Sequence, residues 1–304
     1  MELYAAKAFA QVVKDFILPQ GRLVAEHDYN EVFLQCKSDI SRLLDCDLSS
    51  SRILVLGCGY NYPDVILWSS MSSMVVGLDV QSVYWRNALA RLFHSKGKGL
   101  AESLAKAFLQ RRAYAGYYQR LRELASQDLD ETCQDLVNYD GTRFPFADDS
   151  FDVVISNAVL EHVADVKSVL EEALRVTRPS GIGYHLWHNY LSLSGGHVPE
   201  SEAISHPWGH LLDNVEVKSA YPSIIPSLNR LQPNEMLDLL SSVYEQKGSY
   251  GVDKRHNKRG IDSQFQYEGE RLLTAQLEQR LSDYSKELLL TRSFLFIGKK
   301  GKGV

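Results

Sequence analysis

The chain has 304 residues, 44% hydrophobic and 10% aromatic, with 33 Lys and Arg against 38 Asp and Glu for a formal charge of −5. That balance leaves no basic footprint for nucleic acid, and no apolar run approaches the ~18 residues of a bilayer span, so neither a nucleic-acid nor a membrane partner is expected. The four cysteines, Cys36, Cys46, Cys58 and Cys133, lack C-x-x-C spacing, which with an acidic, signal-free start (MELYAAKAFAQVVKDF) fits reduced thiols in a cytoplasmic protein.

Residues 2–18 place Leu3, Ala6, Phe9, Val12, Val13 and Phe16 at helical spacing; Pro19 and Gly21 should stop that helix before a second one from about Tyr29 to Leu44. The stretch SRILVLGCGYNYPD, residues 51–64, then reads as a buried strand, Ile53 to Leu56, running into a tight turn at Gly57-Cys58-Gly59. Pro63 suits a first helical position, and Asp64 complements the positive end of a helix dipole. Glycines at 57 and 59 let a ligand approach main-chain N–H groups without a Cβ in the way. A second apolar run, Met74 to Val80, carries Asp79 near its end, twenty positions after Gly59. At that separation a doubly wound α/β fold offers a carboxylate to ribose hydroxyls. A nicotinamide or flavin enzyme would place a third glycine at position 62, where Tyr62 stands, and no Lys-Ser or Lys-Thr follows the turn as a phosphate loop requires.

The run 53–61 resembles the first motif of class I S-adenosylmethionine-dependent methyltransferases, with Val55 at the usual acidic position and Asn61 at the third glycine; Asn tolerates positive φ. A longer resemblance lies in YDGTRFPFADDSFDVVISNAVLEHV, ending at Val163, which is similar to the small-molecule methyltransferases of this class. The resemblance implies S-adenosyl-L-methionine as cofactor, with Gly57, Cys58, Gly59 and Tyr60 at its methionine end and Asp79 and Val80 at the ribose. It also implies Asp140, Gly141 and Thr142 along the adenine, and Asn157 to His162, including Ala158, lining the transfer cleft. In similar enzymes helices before the first strand cover the cofactor; for Tyr4 and Tyr29 plain packing is the favoured reading.

Between Asp79 and Asp140 the chain is longer than a lean crossover needs. Val83 to Phe93 suits a helix, and Ala101 to Ala125 adds further helices ending in YYQRLREL, an insertion open to acceptor recognition, oligomerisation or a solvated face. A helix from about Val163 to Thr177, a turn at Arg178-Pro179-Ser180-Gly181 and a strand from Ile182 to Trp187 follow. The loop after that strand, residues 185–212, gathers His185, His188, His197, His206 and His210, on the side where open α/β sheets place substrate machinery. A metal held by His197, His206 and His210 is disfavoured by irregular spacing and by Pro207 and Gly209, so no metal is expected. One of His162, His188, His197 and His210 is expected to act as general base.

A proline-bounded loop, a helix near Pro233-Asn234-Glu235, a polar segment 249–266, a helix from Arg271 to Leu288 and a strand from Arg292 to Gly298 complete the order. The expectation is α/β: one Rossmann-like class I methyltransferase domain over 1–304, its sheet mostly parallel and seven-stranded with helices on both faces. Within it lie an N-terminal helical cap (1–48), a cofactor core (51–190), the helical insertion (81–135), an acceptor-side elaboration (185–265) and a C-terminal helix and strand (267–304). The expected activity is methylation of O or N in a small-molecule acceptor such as a natural product, with a homodimer left open. The alternative is a methyltransferase-like protein that binds or regulates without catalysis.

Overall fold

In the computed structural model, residues 20–59, 63–80, 114–125, 129, 135–139, 141–198, 200–212, 227–251 and 269–301 are described. The expected helices 2–18 and 83–93, most of the insertion, the segment 252–268, and the site residues Tyr60 and Asp140 lie outside them. The chain divides into two compact units, Met1–Pro145 and Phe146–Val304.

In the first unit, helix α1 (Gln20–His27) passes through a π-helical stretch, Asp28–Phe33, into α2 (Leu34–Leu43). Gly21 lies within α1, and helical structure begins ahead of the expected start at Tyr29. Strand β1 (Arg52–Leu56) is buried from Ile53 onward and leads to α3 (Pro63–Ser69), which buries Val65 through Trp68. Strand β2 (Met74–Asp79) pairs parallel with β1, Ile53 facing Val75 and Leu56 facing Leu78. Near-continuous apolar sequence is what an interior parallel strand, covered on both faces, requires.

Residues 114–125 form α4, with Tyr114, Tyr117, Tyr118 and Leu121 buried at helical spacing. Tyr117 Oη donates to Asp28 Oδ2 at 2.6 Å, and Arg120 and Glu123 pair with Glu26 and Arg22 at 2.7 Å. This part of the insertion is thus no solvated face; it docks on the helices that precede β1. Strand β3 (Asp135–Asn138) pairs parallel with β2.

The second unit begins with β4 (Phe151–Asn157), followed by a 3₁₀ turn, Leu160–His162, and α5 (Val166–Val176). The helix starts three residues later than the pattern predicts, because Asp165 caps it by accepting from the Ser168 N–H at 3.1 Å. Strand β5 (Thr177–His188) pairs parallel with β4, and it absorbs the expected turn at 178–181 as an irregularity. Ser180 has φ +64, and a Cβ on Gly181 would meet Thr177 Cγ2 at 2.6 Å. Short α6 (Glu200–Ser205) and α7 (Pro233–Val243) follow, and then β6 (Glu245–Gly251). The expected helix 271–288 is broken: a helical segment ends at residue 272, and α8 (Ala275–Arg280) and α9 (Lys286–Leu290) follow, Ser285 capping the last by accepting from Leu288 N–H. Strand β7 (Ser293–Lys299) is antiparallel to both β5 and β6.

The seven strands run in the order β3-β2-β1-β4-β5-β7-β6, a mostly parallel sheet with β7 reversed, as a Rossmann-like class I methyltransferase fold requires. In the second unit one core joins Leu160, Leu170, Trp187, Met236, Leu240 and Phe296, and another joins Leu193, Trp208, Leu273 and Leu281. Among the described residues no helix is long and apolar enough to cross a membrane.

Candidate functional site

The first unit carries the glycine turn. Gly57 and Gly59 both adopt left-handed φ, +64 and +67, a conformation that costs glycine least. The Gly57 N–H donates to Leu78 O at 2.7 Å, and the Gly59 N–H donates to Asp79 Oδ2 at 2.9 Å. The next strand's carboxylate therefore orders the loop, a task the motif usually gives to an acid where this chain has buried Val55. Cys58 is buried beside Gly77, and burial, with Asp79 nearby, pushes its thiol up to about 12, so it stays protonated. Val80, by contrast, is 58% exposed, an apolar side chain left open at the end of β2. Gly141, at φ +88, lies so that a Cβ there would touch Val80 Cγ1 at 3.6 Å, and Thr142 beside it is exposed.

These features fit the cofactor implied by the motif. Backbone opened by two positive-φ glycines, a mostly buried carboxylate at the end of β2 and an exposed apolar side chain next to a glycine are complementary to an amino-acid end, a ribose and a flat ring.

The second unit carries the histidines. Asn157 ends β4 opposite Leu186, and Ala158, at φ +54, donates its N–H to Leu186 O at 2.9 Å. The 3₁₀ turn then presents Glu161 and His162. Glu161 is 5% exposed, and neither of its carboxylate oxygens has a partner in hydrogen-bonding geometry, although His188 Nδ1 lies 3.1 Å from Oε1. Burial, the largest single influence, works to raise Glu161, but the His188 contact, a backbone N–H and the His197 charge together hold the carboxyl below its ordinary range. His197, at φ +52, stacks edge-on to His162 at 4.8 Å and to His188 at 5.2 Å. Burial pushes the His197 imidazole down to about 3, with the His188 and Arg292 charges adding to the effect. His162 is exposed at the rim, and partial burial, opposed by Glu161, also lowers it.

His210 is elsewhere: it is buried under the Gly195–Gly196 loop with Nε2 2.8 Å from Tyr190 O. That contact and a Tyr190 ring 5.2 Å away make it a loop anchor. His206 pairs with Glu202 at 3.5 Å. The structure thus gathers His162, His188 and His197 and leaves out His206 and His210.

Two residues that sequence reasoning passed over complete the cluster. Glu161 stood beside His162 within the recognised motif, but nothing in its spacing linked it to His188. Asn229 donates through Nδ2 to Leu160 O at 2.6 Å and Val163 O at 2.9 Å, and its N–H donates to Glu161 O, so it clamps the turn that holds Glu161.

Residues 97–184 match the model of a family described as a methyltransferase domain. An uncharacterized methyltransferase of Mycolicibacterium vanbaalenii is 48% identical over 61 residues, 20% of this chain and 24% of that protein. Another, from Mycobacterium sp. strain KMS, is 38% identical over 94 residues, 31% of this chain and 37% of that protein. The chain thus spans well under half the length of the curated relatives it matches. The S-adenosylmethionine-dependent methyltransferase of Mesorhizobium loti has a similar structure at 14% identity and a TM-score of 0.46, covering 86% of this chain and 96% of that one. The sheet order is that of the class I methyltransferase fold, and residues 97–184 carry the match to the methyltransferase-domain family.

Proposed function

We propose that the protein transfers a methyl group from S-adenosyl-L-methionine to an oxygen or nitrogen of a small-molecule acceptor, acting in the cytoplasm as one methyltransferase domain over residues 1–304. The observation that carries this reading is the Gly59 N–H to Asp79 bond, which ties the glycine turn after β1 to the carboxylate that ends β2. Bound S-adenosylmethionine supplies a methyl group made electrophilic by its sulfonium. Gly57 and Gly59 offer N–H groups to the amino-acid end, Asp79 orients the ribose, and Val80 with Gly141 and Thr142 borders the ring, Asp140 taking the adenine amino group. Asn157 and Ala158 shape the entry to the acceptor side. His162, exposed at the rim and lowered so that it is neutral near physiological pH, takes the acceptor's proton.

Calorimetric titration with S-adenosylmethionine and with S-adenosylhomocysteine tests this. Micromolar binding, about −8 kcal/mol, supports it. The absence of heat and of any thermal shift with either ligand would favour the alternative of a binding or regulatory protein without catalysis.

A further inference from the structure

A buried carboxylate with no hydrogen-bond partner is expensive: it needs a cation or several donors, and a neutral imidazole supplies at most one. Glu161 is close to that position: its carboxylate has the His188 Nδ1 contact at 3.1 Å but no partner in good hydrogen-bonding geometry, and two imidazoles border it. One ligand atom each from Glu161, His188 and His197 lie within 4.8 Å of one another, all in the second unit. Between them is a narrow cavity, also bordered by Tyr190, Gly195 and Asn229, that admits little more than a water-sized sphere.

The geometry points to a divalent transition-metal site, zinc first among its candidates, held by Glu161, His188 and His197. Two imidazoles and one carboxylate form a borderline-soft N₂O set that suits zinc, cobalt or ferrous iron and discriminates against magnesium and calcium, which prefer all-oxygen ligands. Around a tetrahedral zinc bonded at about 2.0–2.2 Å the donors stand about 3.3–3.6 Å apart. Glu161 and His188 are already 3.1 Å apart, and the wider separations, up to 4.8 Å, close by roughly 1–1.5 Å on χ rotation of the imidazoles. Three protein ligands leave a fourth position for an exchangeable ligand, the arrangement of a reactive site and not of a closed structural one.

The surroundings are built to hold the ligands. Asn229 fixes the turn under Glu161. Asn189, next to His188, donates through Nδ2 to Leu288 O at 2.8 Å and to Thr291 O at 2.7 Å, and accepts from the Leu191 N–H. His197 is held in its left-handed conformation with its N–H on Ser194 O at 2.9 Å. Three ligands from three separate stretches of chain are each pinned by main-chain hydrogen bonds at or beside them, as outer contacts of metal sites are. The site takes Glu161, His188 and His197 and leaves His162 for the proton, so it extends the methyltransferase reading without depending on it.

The test is titration of the chelator-treated full chain with Co²⁺, followed by its visible ligand-field absorption, and then competition with Zn²⁺. One equivalent per chain is expected, with zinc displacing cobalt and raising the melting temperature. Glu161→Gln and His197→Ala should each weaken cobalt binding on the order of 100-fold or more, and His206→Ala, outside the cluster, should not change it. A wild-type chain that gives no saturable absorption, or a Glu161→Gln variant that keeps its affinity, overturns the site. Metal-free melting of each variant shows whether it folds, and two ligand variants are used so that loss of one leaves the other. S-adenosylmethionine titration of the metal-free protein reports on the methyltransferase reading separately.

Discussion

The glycine turn and the Glu161 cluster are built in opposite ways. The turn uses backbone: two positive-φ glycines, N–H groups and one carboxylate within twenty-three residues of each other, from Gly57 to Asp79. The cluster uses side chains at 161, 188 and 197, supported by Asn229 from still further along. A site made of backbone tolerates change in most side chains near it but depends on its glycines. A site made of side chains depends on each of them and on whatever holds the segments that carry them.

The sharpest way to break the first region is Asp79→Ala, which removes both the partner of Gly59 N–H and the acid proposed for the ribose. S-adenosylmethionine affinity should fall on the order of 100-fold or more, since charge-assisted hydrogen bonds are worth about 1.5–3 kcal/mol each. Unchanged affinity by calorimetry would show that the loop needs no carboxylate. The second region has its own weak point in Asn229→Ala, which leaves the Leu160 and Val163 carbonyls without their donor. A loss of about 1–3 kcal/mol in urea denaturation is expected, together with weaker cobalt binding.

Gly77→Ala probes packing behind the turn. Its Cβ would stand 2.7 Å from Leu136 Cδ2 and 2.9 Å from both Cys58 Sγ and Val65 Cγ2, so overpacking should cost about 1–3 kcal/mol. The thermal midpoint reads this, and an undisturbed midpoint would show that β2 and α3 yield easily. Acid stability separates the regions further. Burial pushes His185, whose Nδ1 lies 2.8 Å from Ser156 Oγ, down to about 3. The unfolded chain binds a proton there below about pH 6.5 and the folded chain does not. Stability is therefore complete above that pH and falls as pH drops toward 3, by up to about 1.4 kcal/mol per pH unit from this group. His185→Gln should flatten that slope; equal slopes in wild type and variant would mean that His185 takes up its proton in the folded state. The smallest effect belongs to Arg120→Ala: its pairs with Glu26 and Glu123 are screened by solvent, so the thermal midpoint should barely move.

The contrast also explains what could be read from sequence. Strand, glycine turn, helix, strand and acid follow each other along the chain, so periodicity and local turn chemistry located β1, α3, β2 and Asp79. The same holds for β4 and for α7, whose Pro233 and Glu235 announce a helix start, Glu235 accepting from the Gln232 N–H at 2.7 Å. Nothing local announces that Glu161 meets His188 and His197, because their meeting is set by β4 pairing with β5 and by the path of the loop beyond. A metal triad of His197, His206 and His210 is disfavoured by its irregular spacing and by Pro207 and Gly209. His210 is instead buried against Tyr190 O, and that contact depends on Gly195 and Gly196 letting the loop approach. The broken helix at 281–285 and the strand running through Ser180 were missed for a related reason: a capping serine and a positive-φ serine are single-residue events inside patterns read over a longer window.

The docking of α4 on α1 and the π-helical stretch has a further consequence for how the chain is made. Its bonds join residues 89 to 101 positions apart, Tyr117 with Asp28, Arg120 with Glu26 and Glu123 with Arg22. At roughly 5–20 residues per second of synthesis, the early helices leave the ribosome about 5–20 s before their partners exist. Through that interval Asp28, Glu26 and Arg22 have no Tyr117, Arg120 or Glu123 to meet, so the early helices gain these tertiary bonds only late in synthesis.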